Sequence, residues 1–376
     1  MLVAHLADLH LGYAQFNLEE REEDVYETFN EAIDISIKEG AGLVILAGDL
    51  FHTPRPNGKA VITLANALKK LKEKQIPVVF VLGEHDISRL RDVPFAFVFS
   101  NLGLMKRLKA EEPFVVGDVA VFGADKERRG NIDALIEKLH NAEQAAKGFK
   151  KRILVMHQGL TDLNKFAGEI NADDLPSGFN YYALGHYHDH QEKRFANLGG
   201  PLVYPGSLDL TPSEGIKEVE KGFALVDMSG EEAKTHWIPL HRRAQFSVRL
   251  DYGTLADGVE KVMQKAAGFA KKPVVRVEVA GRGIDSRAIA ANLVRLNEAC
   301  LHYVWQPLDE QSDVRVYDER PQDMDQELLR LSADALKSEE LAAFAVRDLL
   351  PAASEGDASK ALEIAWEAFK KRSVRP

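Results

Sequence analysis

Five short apolar runs of this chain each give way to residues that can bind a metal or move a proton. Residues 3–7 lead into Asp8-Leu9-His10, residues 43–47 into Gly48-Asp49, and residues 78–82 into Gly83-Glu84-His85-Asp86. Residues 153–156 lead into His157, and residues 181–184 into Gly185-His186-Tyr187-His188. In an extended chain, residues two apart point the same way, so Asp8 and His10 reach one point, and so do His186 and His188. The glycines let the backbone turn sharply just before a donor. A single His or Asp at a strand end is ordinarily a cap or turn residue; five such ends in this order are not explained that way. Mixed carboxylate and imidazole donors without thiolates suit manganese, iron or zinc, and not a closed structural zinc site. There are donors enough for two ions. Two ions roughly 3.5–4 Å apart clamp the attacking and leaving oxygens of an in-line phosphoryl displacement. The residues alone therefore point to metal-assisted hydrolysis of a phosphate ester. His5 lies mid-strand with opposite parity to Asp8 and reads as structural. His190, two residues beyond His188, reads as a solvated histidine or one that supports a ligand.

Those donors need a scaffold that brings strand ends together. Up to about residue 210, short apolar runs alternate with helical patterns, the signature of buried strands in an α/β layered fold. In open α/β sheets, ligands bind at the carboxyl ends of strands. Two further runs, 114–122 and 222–227, extend the sheet or pair with it. Residues 245–308 read as a small α+β cap of β-α-β-α-β order. Its strands are expected at 246–250, 274–279 and 303–305, with helices at 254–267 and 285–299. A polar stretch with five acids follows, then short amphipathic helices at 324–337, 339–349 and 358–371. The expected division is 1–240 for the metal-binding domain, 241–308 for the cap, 309–322 for a linker and 323–376 for a helical tail.

The composition agrees with a soluble globular protein: 376 residues, 45% hydrophobic and 28% charged. The 48 basic residues are outnumbered by 58 acidic ones, for a net charge of −10. That disfavours a nucleic-acid coat protein, whose field is basic throughout, but not an enzyme that grips nucleic acid through metals and a local basic patch. Arg55, Lys59, Arg89 and Arg91 follow the second and third strands on the metal side and are the candidate phosphate contacts. No run of about 18 apolar residues exists, so no spanning helix and no membrane association is expected. The start of the chain lacks the basic and apolar regions of a signal peptide. The single cysteine, Cys300, allows no internal disulfide and fits a cytoplasmic setting.

The whole series of strand-end motifs resembles the calcineurin-like metallophosphoesterases. Within them, His5-Leu6-Ala7-Asp8-Leu9-His10-Leu11-Gly12-Tyr13, Ala47-Gly48-Asp49-Leu50-Phe51-His52 and Tyr204-Pro205-Gly206-Ser207 resemble the archaeal Mre-eleven nucleases, the counterparts of bacterial SbcD. The cap and the helical tail are similar too, so the resemblance covers essentially the whole chain. It implies a metal-dependent DNA nuclease of double-strand-break repair, cutting as exonuclease and endonuclease, with manganese preferred. By position, Asp8, His10, Asp49 and His188 would hold a first ion. Asp49 would bridge to a second ion completed by Glu84, His157 and His186. His85 would stabilise the phosphate or protonate the leaving oxygen, with Asp86 orienting its ring, and His52 would position the scissile phosphate. The implied partners are DNA ends, a second copy of the chain and an ATPase of the Rad-fifty or SbcC type. The implied setting is the cytoplasm, at DNA ends of the nucleoid.

Two departures from the family pattern stand out. Glu84 occupies the place of an Asn, and Leu208-Asp209 stands where Pro-Glu commonly follows the Gly-Ser, which puts Ser207 between site support and turn chemistry. Glu84 keeps open a non-cutting scaffold that only binds DNA ends; a phosphatase or cyclic-nucleotide phosphodiesterase on the same scaffold is the other rival. A two-fold homodimer is expected through the helices after the second and third strands: the row Val61, Leu64, Leu68 and Leu71 serves its own core, while the run 93–99 is apolar on more faces than a short helix buries, and the surplus suggests an isologous patch. Leu341, Phe344, Leu362, Trp366 and Phe369 form the tail face expected to dock on the ATPase.

Overall fold

The computed structural model describes residues 1–88, 93–165, 167–309, 324–351 and 358–373. Arg89, Arg91 and the expected linker, apart from Asp309, lie outside the described residues. The chain forms two compact units, Met1–Asp309 and Glu310–Pro376.

The first unit is built on two six-stranded sheets. One contains β1 (Leu2–Leu6), β2 (Leu43–Ala47), β3 (Val78–Val81) and β4 (Lys106–Arg107), all parallel, with β11 (Gly222–Asp227) and β12 (Lys234–Pro239) antiparallel at the β1 edge. The other holds β5 (Phe114–Val116), β6 (Val119–Ala124), β7 (Lys151–His157), β8 (Tyr181–Gly185), β9 (Gln191–Lys193) and β10 (Leu202–Tyr204). Side-chain parity explains the layers. Val3, Ala7, Leu43, Ile45, Val79 and Val81 meet Val121, Ile153, Val155 and Ala183 in a core between the sheets. The alternate residues Ala4, Leu6, Val44, Leu46 and Phe80 face outward onto helices α1 (Glu19–Lys38), α2 (Gly58–Glu73) and α3 (Ala96–Asn101). On the far side, Phe122, Leu154, Tyr182 and Leu184 pack under α4 (Ile132–Ala146). Both faces of each central strand are buried, which is why these runs read as continuously apolar.

The two further runs join the sheets as expected, with the strands divided between two layers. The run 114–122 is a hairpin, β5 and β6, in the second sheet, and the run 222–227 is an antiparallel strand of the first. Apolar runs buried on two faces look alike whichever sheet they join. In α2, Leu64, Leu68 and Leu71 are buried and Val61 is half-buried, so most of the row serves its own core. In the run 93–99, Ala96 and Phe99 are buried while Val98 stays exposed.

The cap has the expected β-α-β-α-β order. Its strands β13 (Gln245–Asp251), β14 (Val274–Gly281) and β15 (His302–Asp309) are parallel. They are covered on one face by α5 (Leu255–Ala267), α6 (Ser286–Leu293) and α7 (Leu296–Ala299). The expected helix 285–299 is thus two helices, interrupted at residues 294–295. In the second unit, α8 (Met324–Leu336) precedes α9 (Glu339–Phe344), which Ser338 caps by accepting the Leu341 N–H, and a π-type turn (Ala345–Leu349) follows. α10 (Ala358–Ser373) leaves Leu362, Trp366 and Phe369 exposed at 72%, 58% and 59%, whereas Leu341 and Phe344 are half-buried.

Candidate metal centre

The five strand-end motifs follow β1, β2 and β3 of the first sheet and β7 and β8 of the second, all at carboxyl ends. The site therefore straddles the seam between the sheets. Loop hydrogen bonds knit it: the Asp8 N–H donates to Gly48 O at 3.2 Å, and the His10 N–H to Asp49 O at 3.0 Å. Across the seam, the His186 N–H donates to the Asp8 carboxylate at 3.1 Å. Asp8, His10, Asp49 and His186 have φ of 51°, 43°, 49° and 104°. Positive φ is strained for residues with a Cβ, and such strain gathers where a side chain must be aimed at a point. Two glycines make the crowding possible. A Cβ on Gly83 would stand 2.1 Å from Asp49 Oδ1, and one on Gly48, at φ +86°, 2.2 Å from His157 Nδ1.

Asp8, His10 and His188 converge as one donor group, and Glu84, His157 and His186 as another. Asp49 reaches both, its Oδ2 lying 3.8 Å from His10 Nε2 and 3.4 Å from His157 Nε2. The tautomers follow from the outer bonds. His157 Nδ1 donates to Ala47 O at 2.8 Å, which aims Nε2 at the carboxylates. That atom is buried, 2.8 Å from Glu84 Oε2 and 3.4 Å from Asp49 Oδ2. His188 Nδ1 is 2.7 Å from Thr211 Oγ1, which turns its Nε2 toward His10 Nε2 at 3.4 Å. Imidazole nitrogens and carboxylate oxygens thus converge at both places, and this donor set fits a divalent ion at each.

The electrostatics agree. Burial lowers His10 to about 3 and His188 to about 4, which keeps both rings neutral. Burial would lower His157 too, but the Asp49 and Glu84 carboxylates outweigh it and raise it well above its usual range. Burial would raise Asp49 and Glu84, yet both are lowered, Asp49 to about 2 by His157, and Glu84 by His157 and His186. Burial pushes Asp8 well up.

Glu84 spans the second group. Its Oε2 is on His157, its Oε1 lies 2.9 Å from His186 Nδ1, and Lys126 Nζ stands 3.9 Å away. The closer bond of Lys126 is to Glu169, at 2.7 Å. The His85 N–H donates to Asp49 Oδ1 at 2.8 Å, and its ring lies 4.8 Å from that of His10. His52 stacks on His85 at 5.6 Å, with Tyr13 on its other side at 4.8 Å.

Other expectations are corrected. Asp86 does not orient the His85 ring; His85 Nδ1 donates to the His52 carbonyl at 2.9 Å instead. Asp86 is buried and accepts the N–H groups of Gly83, Leu50 and Phe51, so it clamps two ligand loops together. Burial and the charge of Asp49 push it up to about 7. Lys59 pairs with Glu23 at 2.5 Å and Glu19 at 3.8 Å on α1 and, like Arg55, is exposed. His5 is wholly buried beside Tyr181, and His190 stacks on Trp237. Ser207 Oγ donates to Asp209 O at 2.7 Å while its N–H donates to His188 O at 3.0 Å, so it is both turn and support.

Thr211, Glu214 and Lys221, which grip His188, are absent from the sequence reading. The signal was present in Thr211-Pro212-Ser213-Glu214, the Thr-x-x-Glu spacing of a capping box. The Thr211 N–H indeed donates to Glu214 Oε2 at 2.9 Å.

Residues 1–190 match the calcineurin-like phosphoesterase family. The chain is 34% identical over 304 residues to the DNA double-strand break repair protein Mre11 of Sulfurisphaera tokodaii, an alignment covering 78% of this chain and 77% of the relative. It is 31% identical to Mre11 of Sulfolobus acidocaldarius, covering 81% of each. It is 36% identical to Mre11 of Methanococcus maripaludis, covering 61% of this chain and 64% of the relative.

Proposed function

The chain belongs to the calcineurin-like phosphoesterases and, among them, to the Mre11 family, a metal-dependent phosphodiester hydrolase of double-strand-break repair, and on that premise we propose how it cuts DNA ends. Asp8, His10, Asp49 and His188 hold one ion. Asp49, Glu84, His157 and His186 hold the other, with manganese the preferred metal. Two such ions supply the Lewis acidity that polarises a phosphodiester and acidifies a water for in-line attack. The protein's own groups do the rest. His157 and His188, fixed in one tautomer by Ala47 O and Thr211, present lone pairs without rotation. His85, whose Nδ1 proton is committed to the His52 carbonyl, offers Nε2 to return a proton to the leaving oxygen. His52, stacked beside it, seats the scissile phosphate. Arg55 contacts phosphates of the DNA backbone, a role the sequence also suggests for Arg89 and Arg91, which lie outside the described residues. A second copy docks through α2 and α3, which leave Ile62 and Val98 exposed, and an ATPase of the Rad-fifty type takes the tail.

One observation carries this reading: seven imidazole and carboxylate donors converge in two groups that share Asp49, with His157 Nε2 buried 3.4 Å from Asp49 and 2.8 Å from Glu84, the mixed donor set that a pair of divalent cations takes. The test is a nuclease assay on linear duplex DNA with and without manganese. Cleavage should require the ion and vanish in Asp49→Ala. Metal analysis showing no bound ion at saturating manganese would overturn it. A generic aryl phosphate cleaved in preference to duplex would return the phosphatase reading.

A further inference from the structure

A buried cluster of charges between the metal centre and the cap has no part in the reaction proposed above. Arg21 is fully buried, and its guanidinium donates to Asp24 at 2.5 Å, to Asp209 at 2.9 Å and to Gln15 at 3.0 Å. Asp24 also receives Arg243 through two nitrogens, at 2.6 and 3.0 Å, and Lys271 at 2.9 Å. Arg243 and Lys271 are the residues that lead into the cap strands β13 and β14. Gln15 is shared as well, accepting from Gln245 of β13 at 2.7 Å and donating to Gly215 O at 2.9 Å. A buried ion cluster is a weak source of stability; its contribution is fixed geometry.

What it fixes is the segment 207–215, held by Arg21 at Asp209 and by Gln15 at Gly215. Between these anchors lie the groups that aim His188. Thr211 Oγ1 takes its Nδ1 proton, and Lys221 ties Glu214 to His188 O at 2.5 and 2.8 Å. We propose that Asp209 is a positioning residue for His188, and that the Arg21–Asp24 pair ties the aim of this one ligand to the seating of the cap. The proposal rests on the metal-centre reading and deepens it: the ion at Asp8, His10 and His188 depends on the cap junction, and the ion at Glu84, His157 and His186 does not.

The experiment titrates manganese into the full chain by calorimetry and by electron spin resonance, without DNA. Asp209→Asn should bind one of two ions about ten- to a hundredfold more weakly, the usual cost of losing a group that orients a ligand, and the other ion as before. Arg243→Gln should weaken the same ion. Should Asp209→Asn fail to fold, Thr211→Val, which removes only the hydroxyl at His188 Nδ1, gives the same single-ion loss. Two unchanged ions in Asp209→Asn overturn the positioning role, as does an equal weakening of both. An Arg243→Gln chain with unchanged ions overturns the tie to the cap. A wild-type chain that binds no manganese overturns the metal-centre reading itself, and the proposal with it.

Discussion

Glu84 is where this chain's residues depart most from the pattern of their family. Its carboxylate reaches both His157 and His186, so the extra methylene does not swing the group out of the site. An anionic donor tightens an ion but weakens its pull on a substrate phosphate, and Lys126 offsets only part of the charge because Glu169 holds it more closely. Glu84→Asn is therefore expected to keep the fold and raise manganese-dependent cleavage, by roughly tenfold or less, about 1.4 kcal/mol in the barrier. A lower rate would make Glu84 an adapted ligand and the charge argument wrong. His5 gives a prediction for acid. Burial lowers it from 6.5 to about 3, so below pH 6.5 the unfolded chain takes up a proton that the folded one refuses. Its contribution to stability is present above pH 6.5 and lost as the pH falls toward 3, at about 1.4 kcal/mol per pH unit. Urea unfolding in EDTA at pH 6 and pH 5 should show a correspondingly flatter dependence in His5→Gln. The donors themselves were legible because each ends an apolar run. The tie of Asp209 to Arg21 was not, and Thr211 carried only a local capping signal with no pointer to His188, since these partners lie 188 and 23 residues away in sequence.

The strands are the elements that bring those donors to one point, and they do so at the cost of close backbone approach. Gly83 shows how little room is left: a methyl there would stand 2.1 Å from Asp49 Oδ1. Gly83→Ala is expected to displace Asp49, a carboxylate within reach of both donor groups, and so to weaken both ions at least tenfold. The sheet should persist, because β3 ends at Val81. Circular dichroism near that of wild type with manganese binding lost is the expected pair of results; tight binding of both ions would show that the loop can yield. Most strands were legible from short runs flanked by turn residues, and β2 and β11 fall on the expected residues, 43–47 and 222–227. The pairing was not. Val79 and Val155 read alike in sequence, yet one belongs to each sheet and they meet face to face. The expected helix 285–299 failed for a different reason: its apolar positions Ile289, Leu293 and Leu296 keep helical spacing across the interruption, so periodicity alone runs through it.

For the whole molecule, the question is what the second compact unit adds to the first. Among the described residues, the candidate donor groups all lie in Met1–Asp309, and α10 presents Leu362, Trp366 and Phe369 to solvent with the two aromatic rings stacked at 5.6 Å. These positions sit four and three residues apart, one face of a helix 16 residues long. A helix of that length is marginal by itself, and an apolar stripe on it is best explained by a partner whose groove it fills. Sequence spacing was enough to find this stripe, because a repeat of three and four does not depend on distant contacts; Leu341 and Phe344, read the same way, turn out to be half-buried within their own unit. The stripe is therefore the better test of docking on an ATPase. Trp366→Ala should cost roughly 2 kcal/mol of binding, about thirtyfold in Kd, the typical loss for a buried aromatic anchor. Deleting residues 323–376 should abolish binding while manganese-dependent cleavage by the first unit persists. ATPase binding unchanged by the deletion would refute the assignment, and cleavage lost together with the tail would mean that the second unit is needed to hold the metal centre in shape.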